Sequence, residues 1–179
     1  RDFGTVLFTD FGSGQLDIIV DHESAGDFVP VIADHHQPAD AETDCHLNPL
    51  LEGIDGASEL SGAGASYLLA RELSARSEID ARLDNRDLAA LAVVGAVGDM
   101  QASEGELHGA NRAIVEEGIE ADVLEETKDL AVYGKQTRPL PKLLEYSSDV
   151  RIPGITNDER GTVSFLGGLD FETRNDGEW

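Results

Sequence analysis

Asp34, His35 and His36 stand together directly behind the apolar run Val29-Pro30-Val31-Ile32-Ala33, and Gln37-Pro38 stops the strand after them. Two further carboxylates have the same setting: Asp10 follows Thr5-Val6-Leu7-Phe8-Thr9, and Asp99 follows the apolar stretch 88–97 and Gly98. Mixed carboxylate and imidazole donors suit manganese, and also magnesium, iron or zinc. Carboxylates that bridge two ions about 3.5 to 4 Å apart are a common device for hydrolysing phosphate esters. One ion makes hydroxide from water, and both stabilise charge on the phosphoryl oxygens. Neighbouring side chains of a strand point to opposite faces, so His35 and His36 cannot both address one ion. One is expected to reach the metal, and the other a substrate phosphate or a supporting carboxylate. Asp17, Asp21, His22 and His46 read as solvated or locally hydrogen-bonded, and Cys45 as a small core residue.

These residues act together only if the elements bring them to one place. Thr5 to Phe8 and Val29 to Ile32 read as strands, and Gln15 to His22, with Ser13 able to cap it, as the helix between them. A β-α-β unit lays its two strands in parallel with their carboxyl ends together. Asp10 and Asp34 then share the edge of the sheet where open α/β folds bind ligands. Residues 39–44 read as a polar loop and 45–49 as a short extended segment.

A helix is predicted over Glu59 to Leu73, with Leu60, Gly64, Tyr67, Leu68 and Leu73 near one face. Its first turn holds Ser61-Gly62-Ala63-Gly64, small residues that either admit a phosphate to the free N–H groups or allow close packing on the sheet. Asp84 or Asn85 caps the next helix. Residues 88–97 are apolar almost all round, which predicts a buried helix ending at Gly98-Asp99-Met100-Gln101. Beyond it, 108–119 reads as an amphipathic helix, 130–133 as a strand, 139–146 as a short helix, and 161–166 as helix or strand.

The 179 residues suffice for one domain with a core of its own, or for part of a larger protein. Arg1 in first place and Met100 as the only methionine suggest a piece of a longer chain. Acidic residues number 36 against 13 basic, a net charge of -23, and they are spread along the whole chain. That distribution fits a surface adapted to strong salt better than an acidic tail for a basic partner. No basic run exists, so a polynucleotide would have to be held by metal ions and a few arginines. A single cysteine excludes an internal disulfide and a thiolate zinc cage. No membrane span or signal sequence is visible, and a soluble, cytoplasmic protein is expected.

Asp34-His35-His36 with Gln37-Pro38 resembles the signature of the DHH phosphoesterases. Thr9-Asp10-Phe11-Gly12 resembles the second motif of that family, and Val97-Gly98-Asp99-Met100-Gln101 its fourth. Ser61-Gly62-Ala63-Gly64 and Ile152-Pro153-Gly154-Ile155-Thr156 are similar to the archaeal RecJ-like exonuclease branch. The likeness runs along nearly the whole chain. It implies an α/β domain with a parallel sheet and helices on both faces, divided here into a motif-bearing core at 1–125 and an extension at 126–179. It also implies a two-metal hydrolase, using Mn2+ or Mg2+, that acts on the ends of single-stranded DNA or RNA in repair.

On that resemblance Asp10 and Asp99 bridge the ions, and His35 binds one of them. Asp34 orients the histidines, His36 contacts the scissile phosphate, and Ser61, Gly62 and Gly64 bind substrate. The family's first motif, Asp-x-Asp-Gly, and a smaller substrate-binding domain are expected outside residues 1–179, so this piece alone should bind metal weakly. Two other functions remain open: a phosphatase for pyrophosphate, short oligonucleotides or cyclic dinucleotides, and a non-catalytic scaffold among replisome proteins. Retention of Asp10, His35 and Asp99 argues against the scaffold.

Overall fold

The computed structural model describes residues 4–76, 84–103, 105–128, 134, 137–147 and 150–169. The chain forms two compact units, Arg1–Glu126 and Thr127–Trp179. The first is mixed α/β. Its sheet holds β1 (Thr5–Thr9), β2 (Val29–Ala33) and β3 (His46–Leu47) in that order, all parallel. Thr5 to Thr9 pair in register with Val29 to Ala33, and Ile32 and Ala33 with His46 and Leu47.

The alternation of β2 distributes its side chains to two layers. Ile32 is fully buried against Leu16 and Ile19 of α1 (Leu16–Ala25), with Phe8 and Phe28 beside them. Ala33 enters the larger core, with Leu60, Ala65 and Tyr67 at α2 (Gly62–Ala75), Ala89 and Ala92 on α3 (Ala89–Gly98), and Ile114 on α4 (Gly109–Glu120). Each large aliphatic chain removed from water in this way contributes about 1.5–3 kcal/mol. Gly95 lets α3 lie close against α2, since a Cβ there would stand 2.2 Å from that of Ala63. In the second unit, α5 (Leu140–Glu145) and α6 (Glu159–Gly167) flank a turn closed by the hydrogen bond from Ile152 N–H to Thr156 Oγ1 (2.8 Å). Residues 161–166, open between helix and strand by sequence, are helical.

Four sequence expectations change. Ser13 does not cap the first helix; Gly12, at φ 116°, precedes the short 3-10 turn Ser13–Gln15, and the buried Ser13 is used elsewhere. The helix expected from Glu59 begins at Gly62, because Ser61 takes the cap position and accepts the Gly64 amide at 3.0 Å. Helix α3 is not buried all round: Ala89, Ala92 and Ala96 face inward, while Leu91, Val94 and Val97 are 67%, 68% and 51% exposed. Small residues carry its packing, and apolar composition alone does not tell which side is covered. Cys45 is exposed rather than in the core. The strand expected at 130–133 lies outside the described residues.

Candidate metal centre

The parallel register carries Asp10 and Asp34 to one edge of the sheet. The Asp10 amide donates to the Ala33 carbonyl (2.9 Å) and the Asp34 amide to that of Leu47 (3.1 Å), so each carboxylate extends its ladder by one residue. Asp10 then leaves the strand with φ at 55°, a left-handed conformation that side chains other than glycine seldom adopt. Asp99 arrives from the opposite layer as the residue after α3, followed by Met100 at φ 61°.

Asp34 is fully buried and its acceptor capacity is used within the protein. Oδ1 accepts from the amides of His35 (2.8 Å) and His36 (3.3 Å) and lies 2.7 Å from His36 Nδ1, while Oδ2 accepts from the Ser13 amide at 2.9 Å. Burial pushes this carboxyl up, but the hydrogen bonds from His36, Ser13 and His35 outweigh it and bring it down to about 2. The bond to Asp34 in turn pushes the His36 imidazole up, against the opposing effect of its burial. A carboxylate accepts only, so His36 Nδ1 carries a proton and presents Nε2 as its remaining nitrogen.

His35 is held differently. Its Nδ1 lies 2.6 Å from the Gly56 carbonyl oxygen, which can only accept, so Nδ1 is the protonated nitrogen and Nε2 carries the lone pair. That Nε2 stands 3.3 Å from Asp10 Oδ1 and 3.9 Å from Asp99 Oδ2. The rings of His35 and His36 meet edge-on, with centroids 4.4 Å apart and planes at 70°. Ligand atoms of Asp10, Asp34, His35 and His36 all lie within 4.8 Å of one another. Asp10, Asp34, His35, His36 and Asp99 are therefore one cluster. With Asp34 committed to its N–H donors, Asp10, His35 and Asp99 are the converging oxygen and nitrogen donors. Their chemistry fits a divalent cation such as manganese or magnesium.

The small residues of α2 bear on this cluster. A Cβ at Gly62 would stand 2.0 Å from Asp10 Oδ1, so the carboxylate occupies the space that glycine leaves. Ser61 is fully buried, and Gly64 packs against Leu60, Asn111 and Ile114. Gly62→Ala should lower Mn2+ affinity about 10–100-fold, the range seen when a ligand loses its support. The unfolding midpoint should move little, because Asp10 is exposed enough to swing aside and alanine favours helix over glycine. Calorimetric titration of the full-length protein, with a thermal melt beside it, reads both; unaltered affinity would break the link between Gly62 and Asp10.

Sequence reasoning missed the residues that hold the ligands. Ser13 Oγ lies 2.8 Å from His46 Nε2 and accepts from Asn48 Nδ2 at 2.9 Å, and Asn48 Nδ2 also donates to the His36 carbonyl at 2.8 Å. Burial pushes the His46 imidazole down, opposed by the charge of Asp34. His46 therefore bonds across 33 residues rather than locally. His22 keeps the local partner expected of it, Asp27 at 2.8 Å. The pair Asn48-Pro49 was the available signal, since an Asn that caps a turn before proline is fixed in orientation.

Residues 132–179, within the second unit, match the DHH-CID domain model. That match takes in 48 of the 179 residues and none of Asp10, Asp34, His35, His36 or Asp99. An uncharacterized protein of the archaeon Methanocaldococcus jannaschii is 34% identical over 157 residues, which covers 85% of this chain. The chain spans 32% of the length of that relative. No described helix is long and apolar enough to cross a membrane.

Proposed function

We propose that this chain is part of a metal-dependent phosphodiester hydrolase, an exonuclease acting on single-stranded DNA or RNA. Asp10 and Asp99 would bridge a pair of Mn2+ or Mg2+ ions, and His35 would hold one of them through Nε2. The observation that carries this reading is the approach of His35 Nε2 to Asp10 (3.3 Å) and Asp99 (3.9 Å) from three separate elements. When bound, such ions supply hydroxide near neutral pH and stabilise charge on the phosphoryl oxygens.

The chain's own residues do the rest. Asp34 fixes the ring of His36 through Nδ1, which leaves Nε2 to meet a phosphate oxygen, and its raised basicity keeps it cationic over a wider pH range. Ser61, Gly62 and Gly64 would serve the substrate indirectly: Gly62 leaves the space that Asp10 fills, and the buried Ser61 and Gly64, whose N–H groups go to Asn111 Oδ1 and Ser61 Oγ, shape the turn that holds it.

One observation favours a shorter substrate. A net charge of -23 without a basic run repels a long polyanion, whereas a dinucleotide, pyrophosphate or cyclic dinucleotide needs little beyond the ions. The full-length protein, stripped with chelator and reloaded with Mn2+, should release nucleotides from single strands. Faster turnover of dinucleotides than of long strands would favour the small-substrate reading. Absence of Mn2+ uptake, with stable capture of replisome proteins, would replace both by a scaffold.

A further inference from the structure

A chain of buried amides runs from the start of α2 to His35. The Ser61 backbone N–H, which can only donate, points at Asn111 Oδ1 at 3.2 Å. This fixes which end of the Asn111 amide is oxygen, so its Nδ2 is the group that donates to Gln101 Oε1 at 2.7 Å. Gln101 must then present its own Nε2 to the far side, where it donates to the Gly56 carbonyl at 2.9 Å. That carbonyl is the one facing His35 Nδ1 at 2.6 Å. Gln101 Nε2 and His35 Nδ1 are 3.4 Å apart, two donors on one acceptor with two lone pairs.

Gln101 and Asn111 are 4% and 2% exposed, and every link has one polarity only. The Asn111 backbone N–H donates to the Glu59 carbonyl at 2.7 Å, which anchors the residue at the middle of the chain. At the far end, a Cβ on Gly56 would stand 2.3 Å from the His35 carbonyl oxygen, so the two backbones touch.

From this polarity we propose that Gln101 and Asn111 are positioning residues that lock His35 in the Nδ1–H form, with its Nε2 lone pair kept for a divalent cation. The last clause rests on the metal reading above; the tautomer does not. Unheld, His35 would share its proton between both nitrogens, and the Nε2–H form would donate to Asp10 instead of ligating. Gln101 acts through Gly56, since its Nε2 donates to the same carbonyl oxygen that takes the His35 Nδ1 proton and so holds that acceptor in place.

Ring-nitrogen NMR of the metal-free chain under alkaline conditions, where imidazoles are neutral, reads the tautomer directly. Wild-type His35 should be Nδ1–H alone. Gln101→Met, which keeps the volume and removes the polarity, should show a mixture with Nε2–H, and its Mn2+ affinity should fall about 10–100-fold. Asn111→Ala, which frees Gln101 to turn over, should show a smaller admixture and serves if Gln101→Met does not fold. A His35 signature unchanged in a folded variant overturns the proposal. Full-length wild-type protein that takes up no Mn2+ would overturn the metal reading instead, while the NMR comparison still decides the tautomer.

Discussion

Asp99→Ala in the full-length protein should reduce Mn2+-dependent hydrolysis by about 10³-fold or more, the equivalent of the several kcal/mol of charge stabilisation that a bridged ion provides. The fold should not suffer. Asp99 follows the last turn of α3, where the helix dipole is negative and a carboxylate is unfavourable. Its side chain is 34% exposed and faces the second acid, Asp10, across His35 Nε2. Alanine there removes repulsion from the metal-free protein and should leave the unfolding midpoint equal or slightly higher. Lost turnover with retained stability is the pattern of a group kept for function. Unchanged turnover in this variant would remove the hydrolase reading.

Asp34→Ala should have the opposite character. This carboxylate touches no exposed surface and gathers the amides of Ser13, His35 and His36 together with the His36 ring. A buried donor left without its acceptor costs about 1–3 kcal/mol, and losing several at once should destabilise the chain by about 3–5 kcal/mol. Asp34→Asn should be damaging too, because its amide nitrogen must confront an N–H at one of the two oxygen positions. The folded carboxyl titrates at about 2, below its ordinary 3.8. The stability it contributes is therefore complete above pH ~4 and is lost as pH falls through about 2, a difference of about 2 kcal/mol. Urea unfolding of the metal-free chain at pH 7 and pH 3 should show about half of this acid loss in wild type and a smaller one in Asp34→Asn. Equal acid sensitivity in both would assign the loss to other carboxylates.

The sheet edge was legible in the sequence because it depends on short-range pattern. Two β-branched runs with a helix between them impose parallel pairing, and that alone joins Asp10 to Asp34 across more than twenty residues. Asp99 was legible as a carboxylate closing an apolar helix. What was not legible is the support. Ser13 looks like a helix cap because serine often is one, yet its amide is drawn to Asp34 and its hydroxyl to His46 and Asn48. A local preference worth about 1 kcal/mol yields readily to a buried tertiary network. Gln101 and Asn111 have no periodic signature at all, since an amide gains its meaning only from the partner folded against it. The exposed side of α3 failed for a related reason. Its inward face is alanine and glycine, so the larger side chains mark the side away from the core.

That outward side gives the molecule an unusual response to electrolyte. Leu91, Val94 and Val97 leave an exposed apolar strip on α3, in a chain carrying 23 excess negative charges. In dilute buffer, mutual repulsion keeps two such bodies from bringing their strips together. At about 1 M salt the Debye length shrinks to about 3 Å, and the repulsion no longer reaches across the gap. The isolated chain should thus be colloidally dispersed in low salt and associate through α3 as ionic strength rises, the reverse of an assembly held by ion pairs.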